Sequence, residues 1–194
     1  DVTIEAFDVN VDAGTWDLEV YVVIGGGTYV GHETTAGDWA LVGSAMGVVS
    51  NGPDVPTPLP IAINTSIAAG ATQGFYVTVT NGTAINYTNG STPGAVFASD
   101  ANIEFLEGAG KSYPFGATFM PRVWNGNICY TLQAECFLLL GFKRANLTLG
   151  NDTLLVEPLL AVPMTLSNLP IIDVPNNQQL IGTTLRVQSF LYNP

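Results

Sequence analysis

The sequence contains a single histidine, two cysteines and only five lysines and arginines in 194 residues. Each scarcity removes a class of function. His32 cannot supply a histidine metal set by itself, and a nucleophile–histidine arrangement would need partners that no motif places beside it. It lies in a Gly-rich stretch next to Glu33, where an ordinary surface histidine is expected. Two cysteines fall short of a zinc ligand set. The cations Lys111, Arg122, Lys143, Arg144 and Arg186 are dispersed and the formal net charge is −11. Nucleic acid and anionic membrane surfaces are therefore repelled. The most apolar run, residues 136–142, is far too short to cross a bilayer, and later apolar runs are broken by Pro158, Pro163 and Pro170, so no membrane span is expected. No stretch sustains a helical period. Sixteen acidic residues could in principle include a glycosidase pair, but no spacing selects one. The expectation is no enzyme and no cofactor, calcium excepted.

What is abundant points to β structure. Hydrophobic residues make up 47% of the chain, enough for a buried core, while charged residues make up only 11%. Gly, Thr and Asn are plentiful, as in many extracellular β proteins. The first residue is Asp1, not methionine, which fits a processed secreted protein.

The apolar positions of the N-terminal stretch are Val2, Ile4 and Ala6, then Phe7, Val9 and Val11, a register slip of the kind a β-bulge makes. Trp16, Leu18, Val20, Val22 and Ile24 alternate with Asp17 and Glu19, predicting a half-buried strand. Residues 52–60 carry four prolines and read as an extended loop or sheet edge. Residues 75–80 and 83–88 flank Asn81-Gly82 and predict a hairpin with a type I′ turn. Further strands are expected at residues 101–107, 118–124 and 127–132. Many short strands with frequent turn signals predict an all-β fold, with a sandwich or jelly-roll-like domain over residues 1–130. Residues 131–194 are more apolar, with strand-like runs at 137–140, 147–149, 154–156, 159–162 and 185–191. They predict a small, incomplete-looking β module, packed on the first domain or completed by a neighbouring subunit.

Several stretches resemble a known kind of module. Residues 73–83, 85–90, 98–102 and 108–116, with Thr28-Tyr29-Val30-Gly31 and Pro121-Arg122-Val123-Trp124-Asn125-Gly126, are similar to β-sandwich modules of predicted large secreted or surface proteins of environmental bacteria. Residues 153–159 and 174–185 resemble a second module of such proteins. The resemblance implies secretion and β architecture, and it carries no catalytic residues.

Four candidate sites remain. Cys129 and Cys136 are read as one disulfide at the junction of the two parts. Asp8, Asn10 and Asp12 share a strand face and Glu19 follows at the twelfth position from Asp8, which is calcium-loop spacing; a polar solvent face is the competing reading. Asn64, Asn81, Asn86, Asn89, Asn146 and Asn151 begin Asn-x-Ser/Thr sequons and are glycosylation candidates, with turn chemistry as the alternative. Tyr29, Trp39, Tyr76, Tyr87, Tyr113 and Trp124 are candidates for a sugar-stacking platform, though most are expected in the core.

Together these features predict a disulfide-bonded, secreted cell-surface glycoprotein. It would be a structural subunit that self-assembles head to tail with copies of itself into a filament, sheath or surface layer. The expected contact is strand complementation, with residues 1–11 as the donated strand. The alternative is an adhesive module that binds carbohydrate or another surface.

Overall fold

A computed structural model describes residues 1–133, 135–149, 152–157, 160–164 and 186–192. The protein is all-β: the described residues form seventeen strands and one short 3-10 turn, Ala36–Asp38. The chain divides into two compact units, Asp1–Thr131 and Leu132–Pro194.

In the first unit, β1 (Val2–Val9) is an interior strand. Val2, Ile4, Phe7 and Val9 are buried, so the inward face changes parity between Ile4 and Phe7, as the apolar pattern requires. One edge of β1 is shared by two short partners: β5 (Thr65–Ile67) pairs with Val2 to Ile4, and β4 (Thr57–Pro58) pairs with Asp8 and Val9. Between them the amides of Ile63 and Leu59 donate to the carbonyls of Glu5 and Phe7. The other edge is taken by β12 (Gly126–Leu132). The proline-rich segment thus lies at a sheet edge, where a missing N–H costs no ladder bond.

A second sheet has the order β3 (Trp39–Val49), β2 (Thr15–Val23), β6 (Phe75–Val79), all antiparallel. Leu18, Val20 and Val79 close its inner face. Phe75 meets Phe7 edge-on at 5.3 Å, joining the two sheets as a sandwich. Gly43 leaves room for Ile61, whose Cγ2 would lie only 2.8 Å from a Cβ at that position.

The expected alternation along β2 stops early. Val23, from the opposite face, is buried and Ile24 is exposed. The reason is a roof on the outer face: Val23, Trp39 and Tyr76 form a cluster with Tyr21, Tyr29 and Phe115 packed on it.

The hairpin expected around Asn81-Gly82 does not form. β6 pairs with β2, whereas β7 (Tyr87–Asn89) pairs with β11 (Thr118–Trp124), and Ile85 bridges to Val11. Neither Asn81 nor Gly82 has positive φ, which a type I′ turn needs at both positions. Asn81 instead accepts the Asp17 N–H on its side-chain oxygen at 3.0 Å. Gly82 lies under the Trp16 indole, where a Cβ would be 2.7 Å from Cζ3. The Asn-Gly pair fits a close approach here, and the chain leaves the sheet after it.

β11 also pairs with β10 (Gly108–Lys111), while β8 (Val96–Ser99) pairs with β9 (Glu104–Leu106). Trp124 meets Phe7 at 5.5 Å and Phe105 at 6.3 Å, and Val123 is fully buried.

In the second unit, β13 (Glu135–Gly141) is the middle strand between β16 (Leu160–Met164) and β17 (Arg186–Tyr192), with Leu139 and Leu140 buried. Pro163 stands opposite Phe137 on an outer strand, the position a proline tolerates. β14 (Lys143–Leu149) pairs antiparallel with β15 (Asp152–Glu157). Each apolar run expected to be a strand here contributes to one, with Leu159 and Leu185 themselves outside the described residues.

Candidate functional site

The four calcium-spaced residues do not converge as a set: Asn10 and Asp12 share the Asn86 amide, whereas Asp8 and Glu19 have other partners. Asp8 accepts from the Asn127 amide at 2.9 Å. Asn10 and Asp54 form a reciprocal pair: the Asn10 amide donates to the Asp54 carboxylate at 3.3 Å, and the Asp54 N–H donates to the Asn10 oxygen at 3.0 Å. The Asn86 amide donates to Asn10 and Asp12, both at 3.2 Å. Glu19 is carried away by β2 into the other sheet, where it accepts the Tyr21 hydroxyl at 2.6 Å. A calcium loop must curl its ligands inward, and here Asp8 lies on β1, Asn10 and Asp12 follow it, and Glu19 lies in the middle of β2. Among the described residues no three His, Cys, Asp or Glu are grouped to hold a metal. Asn10, Asp12 and Asn86 instead tie the end of β1 to neighbouring loops, with Asp54 held at φ 61.

The junction disulfide is likewise corrected. Cys129 is a free, exposed thiol, so it is not bonded to Cys136. β12, which carries Cys129, belongs to the β1 sheet, and β13, which carries Cys136, pairs with β16 and β17. The two cysteines share no strand ladder, so their closeness in sequence does not make a cross-strand pair.

His32 has a specific partner. Its Nδ1 lies 2.7 Å from the Asp38 carboxylate, and its carbonyl accepts the Trp39 indole N–H at 2.8 Å. The contact closes the turn that leads into β3, a structural use of the one imidazole.

The sequons differ in what their side chains already do. Asn64, Asn81 and Asn89 are exposed, and Asn146 is exposed on β14. Asn86 is half-buried, and its amide nitrogen, the atom a glycan would occupy, makes the two bonds to Asn10 and Asp12. Asn151 lies outside the described residues.

The aromatic candidates divide in the same way. Trp39 and Tyr76 are buried, and Tyr29 and Trp124 are half-buried. Tyr87 is exposed and carries the Arg122 guanidinium at 4.9 Å from its ring centre. Tyr113, 41% exposed, stands on a loop fixed from several sides. The Ser112 N–H donates to Ala117, the Gly116 N–H donates to Ser112, and Lys111 Nζ donates to the Gly116 carbonyl and to Thr118 Oγ1. Phe115, in left-handed conformation at φ 51, drives its ring into the roof, 5.1 Å from Tyr76 and 5.3 Å from Tyr21. Tyr21 is stacked on Tyr76 at 5.7 Å. Burial, reinforced by the hydrogen bond to Glu19, pushes the Tyr21 hydroxyl well above its ordinary range, and burial raises Tyr76 too. The Tyr113 hydroxyl is raised by desolvation, then by the Glu19 charge and by its hydrogen bond to the same carboxylate. The arrangement is a carboxylate flanked by two tyrosines at the rim of a rigid aromatic layer.

Two features were not singled out in the sequence. Glu107 is nearly buried yet ionised: its carboxylate accepts the Thr92 N–H at 2.8 Å, the Ser91 N–H at 2.6 Å and the Ser91 hydroxyl at 2.9 Å. The Thr92 bond leads in holding it below the usual carboxylate range, against the opposing effect of burial. The other is β3, which lies at one end of its sheet order and contains no Lys, Arg, Asp, Glu or Pro. Met46 is 84% exposed, Val49 is 70% exposed, and Leu41 is also exposed. That uncharged run is readable in the sequence once its place in the sheet is known.

Fold and site together define an all-β, sandwich-like protein. Comparison of the chain with protein-family models, curated proteins and solved structures finds no match. Among the described residues no helix is long and apolar enough to cross a membrane.

Proposed function

We propose that the chain is a secreted structural subunit that associates with copies of itself, by edge-to-edge strand pairing, into an extracellular filament, sheath or surface layer. The observation that supports this most is β3. Sheet edges of soluble proteins are ordinarily blunted by lysine, proline or an inward-pointing charge, because bare backbone N–H and C=O groups recruit another strand. β3 has eleven residues, none of them charged or proline, and Met46 and Val49 stand out into solvent. Two register shifts against β2 bend it, a device that by itself discourages edge pairing, so its partner has to be a strand that follows that twist. The donor first expected, residues 1–11, is a poor one, since β1 is bonded on both edges within its own sheet. The reading therefore places the contact at β3. The resemblance to secreted bacterial modules and the scarcity of charge other than acidic support an extracellular setting.

A net charge of −11 opposes association, so assembly should strengthen with ionic strength as the repulsion is screened. The test compares wild type with Met46→Lys/Val49→Lys by light scattering and negative-stain microscopy. Both side chains are solvent-facing, so the fold tolerates the change. Ordered polymers of wild type and a monomeric variant are expected. A wild type that stays monomeric at every concentration and salt, or a variant that polymerises equally, would overturn the proposal.

A further inference from the structure

We propose that Asn81 is a self-modification site: in the folded protein its side-chain amide is attacked by the Gly82 backbone nitrogen, and the resulting succinimide opens in water to aspartate or isoaspartate. The reactants are neighbours in the chain, so covalent geometry supplies the approach and no pocket is required. The modification does not depend on self-assembly.

The chain has four Asn-Gly pairs, at Asn51, Asn81, Asn89 and Asn125. Glycine makes such pairs reactive, since no side chain shields its nitrogen and its backbone turns freely. The fold then decides which nitrogen is free to attack. The Gly52 N–H donates to Ser50 Oγ at 2.9 Å, and the Asn51 amide is held by the Pro56 carbonyl at 2.8 Å. Asn89 lies on β7 opposite Arg122, and the Gly90 N–H donates to the Pro121 carbonyl at 3.3 Å. The Asn125 carbonyl accepts the Asn10 N–H at 3.1 Å, and Gly126 is hemmed in by the Asp8 carbonyl and the Trp124 ring. Gly82 differs. It follows the end of β6, both it and Asn81 are exposed, and its N–H has no hydrogen-bond partner among the described residues.

The electrophile is prepared as well. Asn81 Oδ1 accepts the Asp17 N–H at 3.0 Å, which polarises the side-chain carbonyl and stabilises the oxyanion that forms when nitrogen adds to Cγ. Asn81 Nδ2, the leaving atom, makes no hydrogen bond among the described residues. Attack forms the bond from Gly82 N to Cγ and breaks the bond from Cγ to Nδ2. The Gly82 amide proton passes through solvent to the departing ammonia, with no change of oxidation state. Water then cleaves the ring at Cγ to give aspartate, or at the Asn81 main-chain carbonyl to give isoaspartate.

Either product sets a new carboxylate beside Asp17, whose own carboxylate accepts the Gly47 N–H of β3 at 2.8 Å. Isoaspartate also lengthens the main chain by a methylene between two fixed points. Thr80 donates its N–H to the Asp17 carbonyl at 2.8 Å, and Gly82 lies under the Trp16 ring.

The test incubates the full chain at mildly alkaline pH, folded and in urea. The chain is produced without glycans, because a glycan on Asn81 would occupy the leaving nitrogen. Peptide mass spectrometry follows aspartate and isoaspartate at all four pairs, and urea gives the intrinsic rate of each. Tryptophan fluorescence establishes that the folded sample stays folded. In that sample Asn81 should keep most of its intrinsic rate, whereas the other three should slow roughly tenfold or more because each must first open locally. Asn81 slowing along with the other three, or another pair outpacing it in the folded protein, would overturn the proposal.

Discussion

Gly126→Ala should be among the most damaging single-methyl additions in the first unit. Gly126 opens β12, and a Cβ there would collide with the Asp8 carbonyl oxygen and stand 2.5 Å from two atoms of the Trp124 indole. Neither neighbour can step aside. Asp8 lies on β1, paired with Pro58 on its other side, and the Trp124 ring is hemmed in by Phe7 and Phe105. Overpacking a well-filled site costs about 1–3 kcal/mol, and a clash with backbone belongs at the upper end. Alanine's reduced freedom in the unfolded chain offsets only about 0.4–1 kcal/mol. A net loss of roughly 2 kcal/mol lowers the melting temperature of a unit this size by about 5–10 °C. Trp16, Trp39 and Trp124 are the only tryptophans and all lie in Asp1–Thr131, so indole fluorescence reports the first unit alone. Gly37→Ala is the control: no heavy atom lies within 4 Å of its added Cβ and its φ is ordinary, so stability should hold or rise slightly. If Gly126→Ala melted with the control, the close approach of β12 to β1 at Asp8 would be wrong.

Glu107→Gln should destabilise the first unit at neutral pH and flatten its acid limb. The folded carboxyl lies below its ordinary value of 4.5, so its contribution is fully present above that value and is lost as pH falls through the folded one; an unchanged acid limb would refute this. Cys129 should react with a thiol reagent in the native protein, and the intact mass should carry no disulfide; an unreactive native thiol would contradict its exposure. The hydroxyls of Tyr21, Tyr29 and Tyr76 are raised by burial above the ordinary 10, so their contribution persists below that pH and is lost as pH climbs through the folded values. Ultraviolet titration should show a subset of tyrosines ionising only with unfolding, and ionisation of all seven while tryptophan fluorescence stays native would refute it.

Strand content was legible because alternation is a local signal. β11 matches the expected residues 118–124, and the register slip in β1 was visible as a parity change between Ile4 and Phe7. Pairing was not legible, since it depends on what lies across the sheet. Residues 75–80 and 83–88 flank the best short-range turn signal in the chain, yet β6 takes β2 as its partner. The Leu18–Val79 and Val20–Val77 contacts build the sandwich core, and a local hairpin would have left β2 without that neighbour. Tertiary burial thus overrode turn propensity, and Gly82 serves the Trp16 ring instead.

The same distinction governs the sites. Calcium spacing from Asp8 to Glu19 is a property of a loop, and it loses meaning once Asp8 and Glu19 sit on strands of different sheets. The Cys129–Cys136 spacing fails for a like reason, because their strands have other partners. In contrast, Glu19 and Tyr21 are two apart on one strand, and any strand places such a pair on one face. Their hydrogen bond follows from β periodicity alone. What periodicity could not supply is Tyr113, brought to the same rim by Phe115 entering the aromatic roof from ninety-odd residues later in the chain. This cluster is therefore made where a strand face, readable locally, meets a loop that the core fixes from a distance. Variants at Glu19 should act through local chemistry, whereas variants at Phe115 should disturb the rim by releasing the loop. Phe115→Ala should cost about 3–5 kcal/mol as a large-to-small change if the ring is fully packed, and less in proportion to its partial exposure. If Phe115→Ala left both the melting temperature and the Tyr113 environment unchanged, the roof would not be what holds the rim in place.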